Sequence, residues 1–128
     1  MPNPEKPSPV SEAELELLKS LWERGPSTVR ELHKATPSRA YTTVQTLLFR
    51  LEEKGCVRVD RSGLAHVFVP VVTREELLDR RLSQIANELC DGAATPLILR
   101  LVEGKQMTSE DIARFRALLD AAEPEEDA

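Results

Sequence analysis

The sequence predicts a mainly helical protein with one small β-hairpin, and three observations support this fold class. Apolar residues recur at the three- and four-residue spacing of amphipathic helices along most of the chain. Capping boxes, the short motifs that begin helices, precede three of these stretches. Between residues 57 and 69 the spacing changes to the alternation of β-strands, with the turn residues Arg61-Ser62-Gly63 in the middle.

The first two helices each begin with a capping box, in which a hydroxyl and a carboxylate bind each other's backbone amides. Ser11-Glu12-Ala13-Glu14 opens the first helix, which ends near Gly25-Pro26 and turns inward Leu15, Leu18, Leu21 and Trp22. Thr28-Val29-Arg30-Glu31 opens a shorter second helix, with Val29 and Leu32 on its buried side. The turn residues Thr36-Pro37-Ser38 separate it from a third helix.

The third helix, over residues 40–55, has an outer face of unusual composition. Its inward stripe is apolar and consists of Val44, Leu47, Leu48 and Leu51. Apart from the acidic Glu53, its outward stripe carries hydroxyls, an amide, an aromatic ring and a guanidinium, on Thr42, Gln45, Thr46, Phe49 and Arg50. Hydroxyls, amides and guanidinium groups hydrogen-bond base edges and phosphates in a DNA major groove, so the sequence predicts a recognition helix. Lys54-Gly55 ends it with a cation and a left-handed cap.

The residues after Gly55 predict a two-stranded hairpin formed by Val57-Arg58-Val59 and His66-Val67-Phe68-Val69. Three helices followed by a hairpin form a winged helix-turn-helix, here predicted for residues 10–71 as a DNA-binding domain. The hairpin, or wing, of such folds usually lies on the DNA backbone or in the neighbouring minor groove. Its cations Arg58, Arg61 and His66 would then touch phosphates, or else each is an ordinary solvated charge.

Residues 72–122 predict a helical dimerisation domain. The first helix begins at a capping box, Thr73-Arg74-Glu75-Glu76, and stops at Asp91-Gly92; a short helix over 96–103 and a last helix from Thr108 follow. About fifty residues in short helices enclose too little volume to bury their apolar faces alone, and a second copy would bury them. The alternative is packing on the N-terminal unit of the same chain. The predicted interface residues are Leu78, Leu82, Ile85, Leu89, Leu97, Ile98, Leu101, Ile112, Phe115, Leu118 and Leu119.

The charge of the chain is unevenly distributed around a net value of −5. Residues 24–61 hold eight basic and four acidic side chains, whereas residues 72–128 hold 7 basic and 13 acidic ones. A basic N-terminal region joined to an acidic C-terminal one suits a DNA-reading module tied to a module of another kind. The Pro-rich residues 1–9 and the acidic residues 123–128 are predicted to be disordered tails.

Composition and motifs argue against several classes of protein. The chain has no Gly-rich phosphate loop, no His-Glu metal motif and no nucleophile beside a base, so an enzyme is not expected. No apolar run approaches the roughly 20 residues of a membrane span and no signal peptide is visible, which predicts a cytoplasmic protein without membrane attachment. Cys56 and Cys90 are too few and too widely spaced for a metal site, and are expected to be buried, reduced thiols. No cofactor is expected.

Taken together, these residues resemble the BlaI/MecI/CopY family of bacterial repressors, often called penicillinase repressors. The string from Ala40-Tyr41-Thr42-Thr43-Val44 to Glu53-Lys54-Gly55 carries the resemblance most specifically. Leu21-Trp22 and Thr28-Val29-Arg30-Glu31-Leu32 support it, and Asp91-Gly92 and Thr108-Ser109-Glu110-Asp111-Ile112 fit more loosely. The resemblance spans about residues 10–120 and implies a homodimeric repressor on a palindromic operator built around TACA and TGTA half-sites.

The resemblance also implies which residues meet DNA. Recognition-helix contacts are expected from Tyr41, Thr42, Thr43, Gln45, Thr46 and Arg50. Arg39, just before the helix, is expected beside a phosphate. At Phe49 the sequence departs from the polar residue that is usual at this position. We expect the Phe49 ring to pack under the wing; the alternative is that it contacts a thymine methyl group.

Two further departures concern the inducing signal. Members released by a sensor metalloprotease are cut between Asn and Phe, and that pair aligns here with Arg100-Leu101, so cleavage is not expected at this bond. The cysteine motif of copper-responsive members is missing from this sequence. Two other functions stay open: a winged-helix adaptor that binds proteins instead of DNA, as the acidic pI of about 5.1 suggests, and a regulator with a small-molecule pocket between dimer helices.

Overall fold

The computed structural model describes residues 9–122; of the predicted tails, residues 1–8 and 123–128 lie outside that range. Contacts group the chain into two units, Met1–Arg80 and Arg81–Ala128. The elements of the described part are, in order, α1 (Glu12–Arg24), β1 (Ser27–Thr28), α2 (Val29–Ala35), α3 (Tyr41–Glu53), β2 (Val57–Asp60), β3 (Val67–Pro70), α4 (Arg74–Leu89), α5 (Thr95–Gly104) and α6 (Ser109–Ala121). A mainly helical fold with a small antiparallel sheet is confirmed.

Side chains close to each helix end determine where the helices of the first unit begin and stop. The predicted capping boxes form at α1, between Ser11 and Glu14, and at α2, between Thr28 and Glu31. After α3, Gly55 has a φ of 75°, in the left-handed region that favours glycine. The predicted helix boundaries in this unit are therefore confirmed to within about two residues.

The sheet has three strands, in the order β1-β3-β2, where the sequence predicts a two-stranded hairpin. The hairpin itself forms, with Val59 opposite Phe68 and Arg58 opposite Val69. The additional strand pairs Ser27 with Phe68 on the other edge of β3. Two residues are too few to show an alternating pattern, so the pairing depends on where β3 lies.

A single apolar cluster forms the core of the first unit, and Phe68 lies in it with no exposed surface. Val72 and Leu77 belong to the same cluster. The Trp22 indole extends it by donating a hydrogen bond of 2.9 Å from Nε1 to the Val72 carbonyl. Because of these contacts the first unit extends to Arg80, past the predicted domain boundary after residue 71.

The second unit contains the C-terminal part of α4 together with the whole of α5 and α6. Its side chains are far more exposed than those of the first unit. Asp91 and Gly92, with φ values of 51° and 84°, follow α4 as predicted. A capping box between Thr108 and Asp111 begins α6. Of residues 81–122, Ala86 alone is buried.

Candidate nucleic-acid interface

The two faces of α3 separate as the sequence predicts. The inward stripe Val44, Leu47, Leu48 and Leu51 is buried against α1 and α2. The opposite face is polar and mostly exposed. Gln45 is half-buried there, and the exposed residues are Tyr41, Thr42, Thr43, Thr46 and Arg50. The polar face therefore lies on a helix whose opposite, apolar face packs against the core.

The first turn of α3 lacks the acidic and hydroxyl caps that begin α1, α2 and α6. Its N-cap is Ala40, which makes no side-chain cap hydrogen bond, and the turn contains no acidic residue. The first backbone amides of a helix point outward without an intrahelical acceptor and favour an anion. The Thr46 hydroxyl donates to the Thr42 carbonyl at 2.9 Å, so its oxygen stays available as an acceptor.

Two of the arginines predicted from sequence are already paired with carboxylates. The Arg39 guanidinium donates from Nε to Glu16 at 2.8 Å, and its terminal nitrogen lies 2.8 Å from the same oxygen. Arg61 on the wing forms two hydrogen bonds of 3.2 Å with Glu52 of α3. Among the described residues, Arg50 and Arg58 form no ion pair. The four predicted arginines thus divide into two that pair with carboxylates of the protein and two that are exposed to solvent.

An open groove of about 390 Å³ separates the wing loop from α2 and the start of α3. We call it the wing groove. Three of the predicted residues, Tyr41, Gln45 and His66, line it together. The remaining lining residues are Thr28, Val29, Arg30, Leu64 and Ala65, so the lining contains no acidic side chain.

Ring contacts connect both ends of α3 to neighbouring elements. The Phe49 ring lies 6.2 Å from the Phe68 ring of β3, centroid to centroid, at an angle of 57°. This agrees with the expectation that Phe49 tucks under the wing, although 40% of the residue is still exposed. At the other end, the Tyr41 ring meets the His33 ring edge-on at 5.7 Å.

A buried ion pair holds the C-terminal end of α3 to the start of α1. Lys54 Nζ lies 2.5 Å from Glu14 Oε1 and donates to the Pro9 carbonyl at 2.9 Å. Glu14 is 1% exposed, and its other oxygen, Oε2, has no hydrogen-bond partner. Burial acts to raise the pKa of Glu14, but the hydrogen bonds from Lys54 and Ser11 outweigh it and lower the pKa below its ordinary value of 4.5.

The two cysteines take no part in this face. Cys56 is buried and Cys90 half-buried, and both thiols are free. Burial raises the pKa of Cys56, which keeps the thiol protonated. Within residues 9–122, no three His, Cys, Asp or Glu side chains are arranged to hold a metal ion. No helix in that range has the length and apolar character needed to cross a membrane.

Sequence reasoning missed several residues of this surface. Arg30 and Leu64 line the wing groove, but the sequence predicted no DNA contact for either of them. Glu16 and Glu52 bind Arg39 and Arg61 from helix positions that look like ordinary solvated charges. Arg30 is one of the eight basic residues counted over residues 24–61, but that count does not indicate which of the eight lie on this surface.

Comparison with known proteins agrees with this geometry. A transcriptional regulator BlaI of Mycobacterium tuberculosis is 40% identical over 116 residues, covering 87% of this chain and 83% of its own length. A penicillinase repressor of Bacillus licheniformis is 26% identical over 115 residues, covering 87% of this chain and 89% of its own. The structure of a MarR family protein from Bacillus stearothermophilus matches the fold with a TM-score of 0.50 at 23% identity, over 88% of this chain and 72% of that one.

The profile of the penicillinase repressor family matches residues 10–121, almost the whole of the described chain. That span includes the winged helix, α3 with its polar face and the three C-terminal helices. The chain therefore belongs to the penicillinase repressor (BlaI/MecI/CopY) family and is a transcriptional repressor of the BlaI type with a winged-helix DNA-binding fold.

Proposed function

We propose that two copies of this chain bind a palindromic operator of the TACA/TGTA type, block transcription there, and leave when a signal arrives. The outward face of α3 is the observation that carries the proposal. On that face Arg50 is exposed without a carboxylate partner among the described residues, beside the hydroxyls of Thr42, Thr43 and Thr46. An arginine in this position can bind a guanine edge through two hydrogen bonds, and hydroxyls accept or donate to any base.

The proposed roles of the other contacts follow from their chemistry. Tyr41 and Gln45 would meet DNA at the start of α3, while Arg58 and His66 would meet phosphates from the wing. Arg39 and Arg61 would also bind phosphates after leaving Glu16 and Glu52. Exposed ion pairs of this kind contribute about 0–1 kcal/mol, so a phosphate can displace the carboxylate at little cost.

The proposed dimer rests on the apolar surface of the C-terminal helices. Leu89 is 79% exposed and Leu118 71% exposed, and Leu78, Leu82, Ile85, Ile98, Leu101, Ile112 and Leu119 are exposed as well, with Leu97 and Phe115 half-buried. An exposed apolar surface of this extent indicates an interface. A symmetric dimer would also present two copies of α3 to the two half-sites of a palindrome.

Release from the operator is proposed to use a signal other than cleavage at Arg100-Leu101. Neither residue matches the Asn-Phe pair of protease-released members. Both also lie inside α5, and a protease cuts a segment of this kind from a locally opened state.

The proposal is tested by titrating fluorescent duplexes with the full chain at several salt concentrations. One duplex carries a TACA-n-TGTA palindrome and the other a scrambled sequence of the same composition. We expect tight, salt-dependent binding of two protomers to the palindrome and much weaker binding to the scrambled duplex. Failure to bind any duplex, including duplexes selected from random DNA, would contradict the proposal and favour a protein-binding adaptor.

Replacing Arg50 with alanine should weaken operator binding by about 1–3 kcal/mol for each half-site. The reason is that a base loses its hydrogen bonds to the guanidinium, while an exposed side chain contributes little to folding. Anisotropy titration against operators that each carry a single base change measures the affinity. The Arg50→Ala protein should lose discrimination at one base pair of each half-site. Lys19→Ala, on the exposed surface of α1, is the matched control and should bind like the parent. Unchanged affinity and unchanged base preference in Arg50→Ala would remove Arg50 from the interface.

A further inference from the structure

The segment that leads into α4 is fixed to the winged helix by hydrogen bonds and by packing. The half-buried Trp22 indole of α1 donates from Nε1 to the Val72 carbonyl at 2.9 Å. The Cys56 carbonyl accepts the backbone amides of Val71 and Val72 at 3.0 and 3.2 Å. Leu77, in the first turns of α4, lies in the core. The start of α4 therefore cannot pivot on the first unit without breaking these contacts.

Trp22 makes a second contact, with the first residue of α4. The Arg74 guanidinium carbon lies 5.3 Å from the centroid of the Trp22 ring, as in a cation–π interaction. Between these two contacts the Thr73 hydroxyl accepts the Glu76 amide at 3.0 Å and caps the helix. The N–H and the ring face distinguish an indole from an aliphatic side chain, and Trp22 directs both at the residues on either side of this cap.

The position of α4 matters because this helix connects the winged helix to the proposed dimer interface. It extends without interruption from Arg74 to Leu89 and carries Leu82 and Ile85 of that interface. Each base pair added between two half-sites moves one of them by about 3.4 Å and rotates it by about 35° around the DNA axis. A dimer follows that shift by moving the winged helix of at least one protomer, and such a movement at the start of α4 breaks the contacts of Trp22.

We propose that Trp22 is a positioning residue for operator binding, which holds the start of α4 and so makes the dimer select one spacing between half-sites. The inference rests on the dimer and the palindrome proposed above, and it adds what determines the spacing. Trp22 acts through α4 and binds no base or phosphate itself. Its contacts stay intact on the correctly spaced operator and break on the others, so they weaken binding only to the others.

The test measures affinity as a function of spacing. The full chain and its variants are titrated with TACA-n-TGTA duplexes in which n increases by single base pairs, and with a duplex that carries one half-site. Trp22→Phe keeps a ring and loses the N–H donor. Relative to the best duplex, it should bind mis-spaced ones about fivefold more tightly for each protomer that has to move. Its affinity for the single half-site should be unchanged, because α3 is unaltered.

Arg74 provides a second variant, which changes an exposed residue and should therefore fold normally. Arg74→Ala should relax the spacing preference about two- to fivefold, and Arg74→Lys, which keeps the cation, should behave like the parent. Leu15→Ala is the matched control for lost packing, since Leu15 is a partly buried residue of α1 on the same core as Trp22. It should unfold at lower urea concentration and keep the parent's spacing preference.

The fluorescence of Trp22 reports on the contact directly, because it is the single tryptophan of the chain. In the parent, the emission should stay constant on the best-spaced duplex. It should shift to longer wavelength on mis-spaced duplexes, where the indole loses its partner and meets water.

A parent-like spacing preference in both Trp22→Phe and Arg74→Ala would overturn the inference. A parent that binds every spacing equally would also overturn it, and so would a Leu15→Ala variant that relaxes the preference as much as Trp22→Phe does. In each of these cases operator binding itself would stand. A parent that binds no duplex would overturn both the inference and the proposed function.

Discussion

Ile85→Asp is expected to convert the proposed dimer into monomers and to weaken operator binding by about 10²–10⁴-fold. A dimer binds two linked half-sites at once and gains avidity from the linkage. Monomers bind each half-site independently and lose that gain, which has the size of the expected fold-change. Ile85 is 40% exposed on α4, in the middle of the proposed interface, so an aspartate there would be buried without a partner when two copies meet. Leu82→Asp should act in the same way.

Sedimentation velocity measures the association state, and anisotropy titration measures operator affinity. Gln84→Asp is the matched control, because it adds the same charge at the neighbouring exposed position of α4. It should stay dimeric and bind normally. Circular dichroism should show parent-like helix content in every variant, since these side chains are exposed within the chain. A dimer that persists in Ile85→Asp would mean that the interface lies elsewhere.

Lys54→Met is expected to destabilise the first unit by about 3–5 kcal/mol, the cost of leaving a buried carboxylate without its counterion. Glu14 is 1% exposed and already has one oxygen without a hydrogen-bond partner, so nothing in the described structure replaces Lys54. Urea denaturation at fixed protein concentration measures the free energy of unfolding. The double variant Glu14→Gln/Lys54→Met should recover much of the loss, because it removes the buried charge and keeps an amide that can serve in the capping box.

The Glu14–Lys54 ion pair should also determine how the stability of the first unit depends on pH. In the parent the pKa of Glu14 is lowered below 4.5, so its contribution to stability is present above pH 4.5 and is lost as the pH falls through the lowered value. Without Lys54, burial is opposed only by the hydrogen bonds from Ser11, so the pKa of Glu14 should be higher in the variant than in the parent. The folded variant then binds the Glu14 proton more tightly than the folded parent does, so its stability relative to the parent should increase as the pH falls from 7 through the pKa that Glu14 has in the variant. Equal pH profiles for parent and Lys54→Met would show that the pair does not control the stability of this unit.

Most elements of the winged helix could be predicted from the sequence because the interactions that define them are local. The capping boxes of α1 and α2 join residues three apart, and the inward stripe of α3 repeats every three or four residues. The left-handed cap at Gly55 depends on one residue's own backbone freedom. A pattern that joins residues three or four positions apart can be recognised in a short window of sequence. The polar face of α3, on which the DNA-binding proposal rests, is recognised in the same way.

Contacts between distant parts of the chain were decided only by the tertiary structure. Glu14 and Lys54 are 40 residues apart, and in the sequence Glu14 looks like a capping acid and Lys54 like a helix-ending cation. Arg39 reaches Glu16 across 23 residues, so its pairing could not be read from its neighbours. The two-residue strand β1 likewise exists only because β3 offers it an edge.

Periodicity and caps therefore determined the helices, the strand segments of the wing and the polar face of α3, since each of these depends on residues within about four positions of one another. The third strand, the buried ion pair, the restraint of Arg39 and Arg61 and the wing groove were decided by folding. Each of these needs two segments that meet only when the apolar stripes of α1, α2 and α3 pack together, and no local pattern records which polar side chains that packing brings within hydrogen-bonding distance.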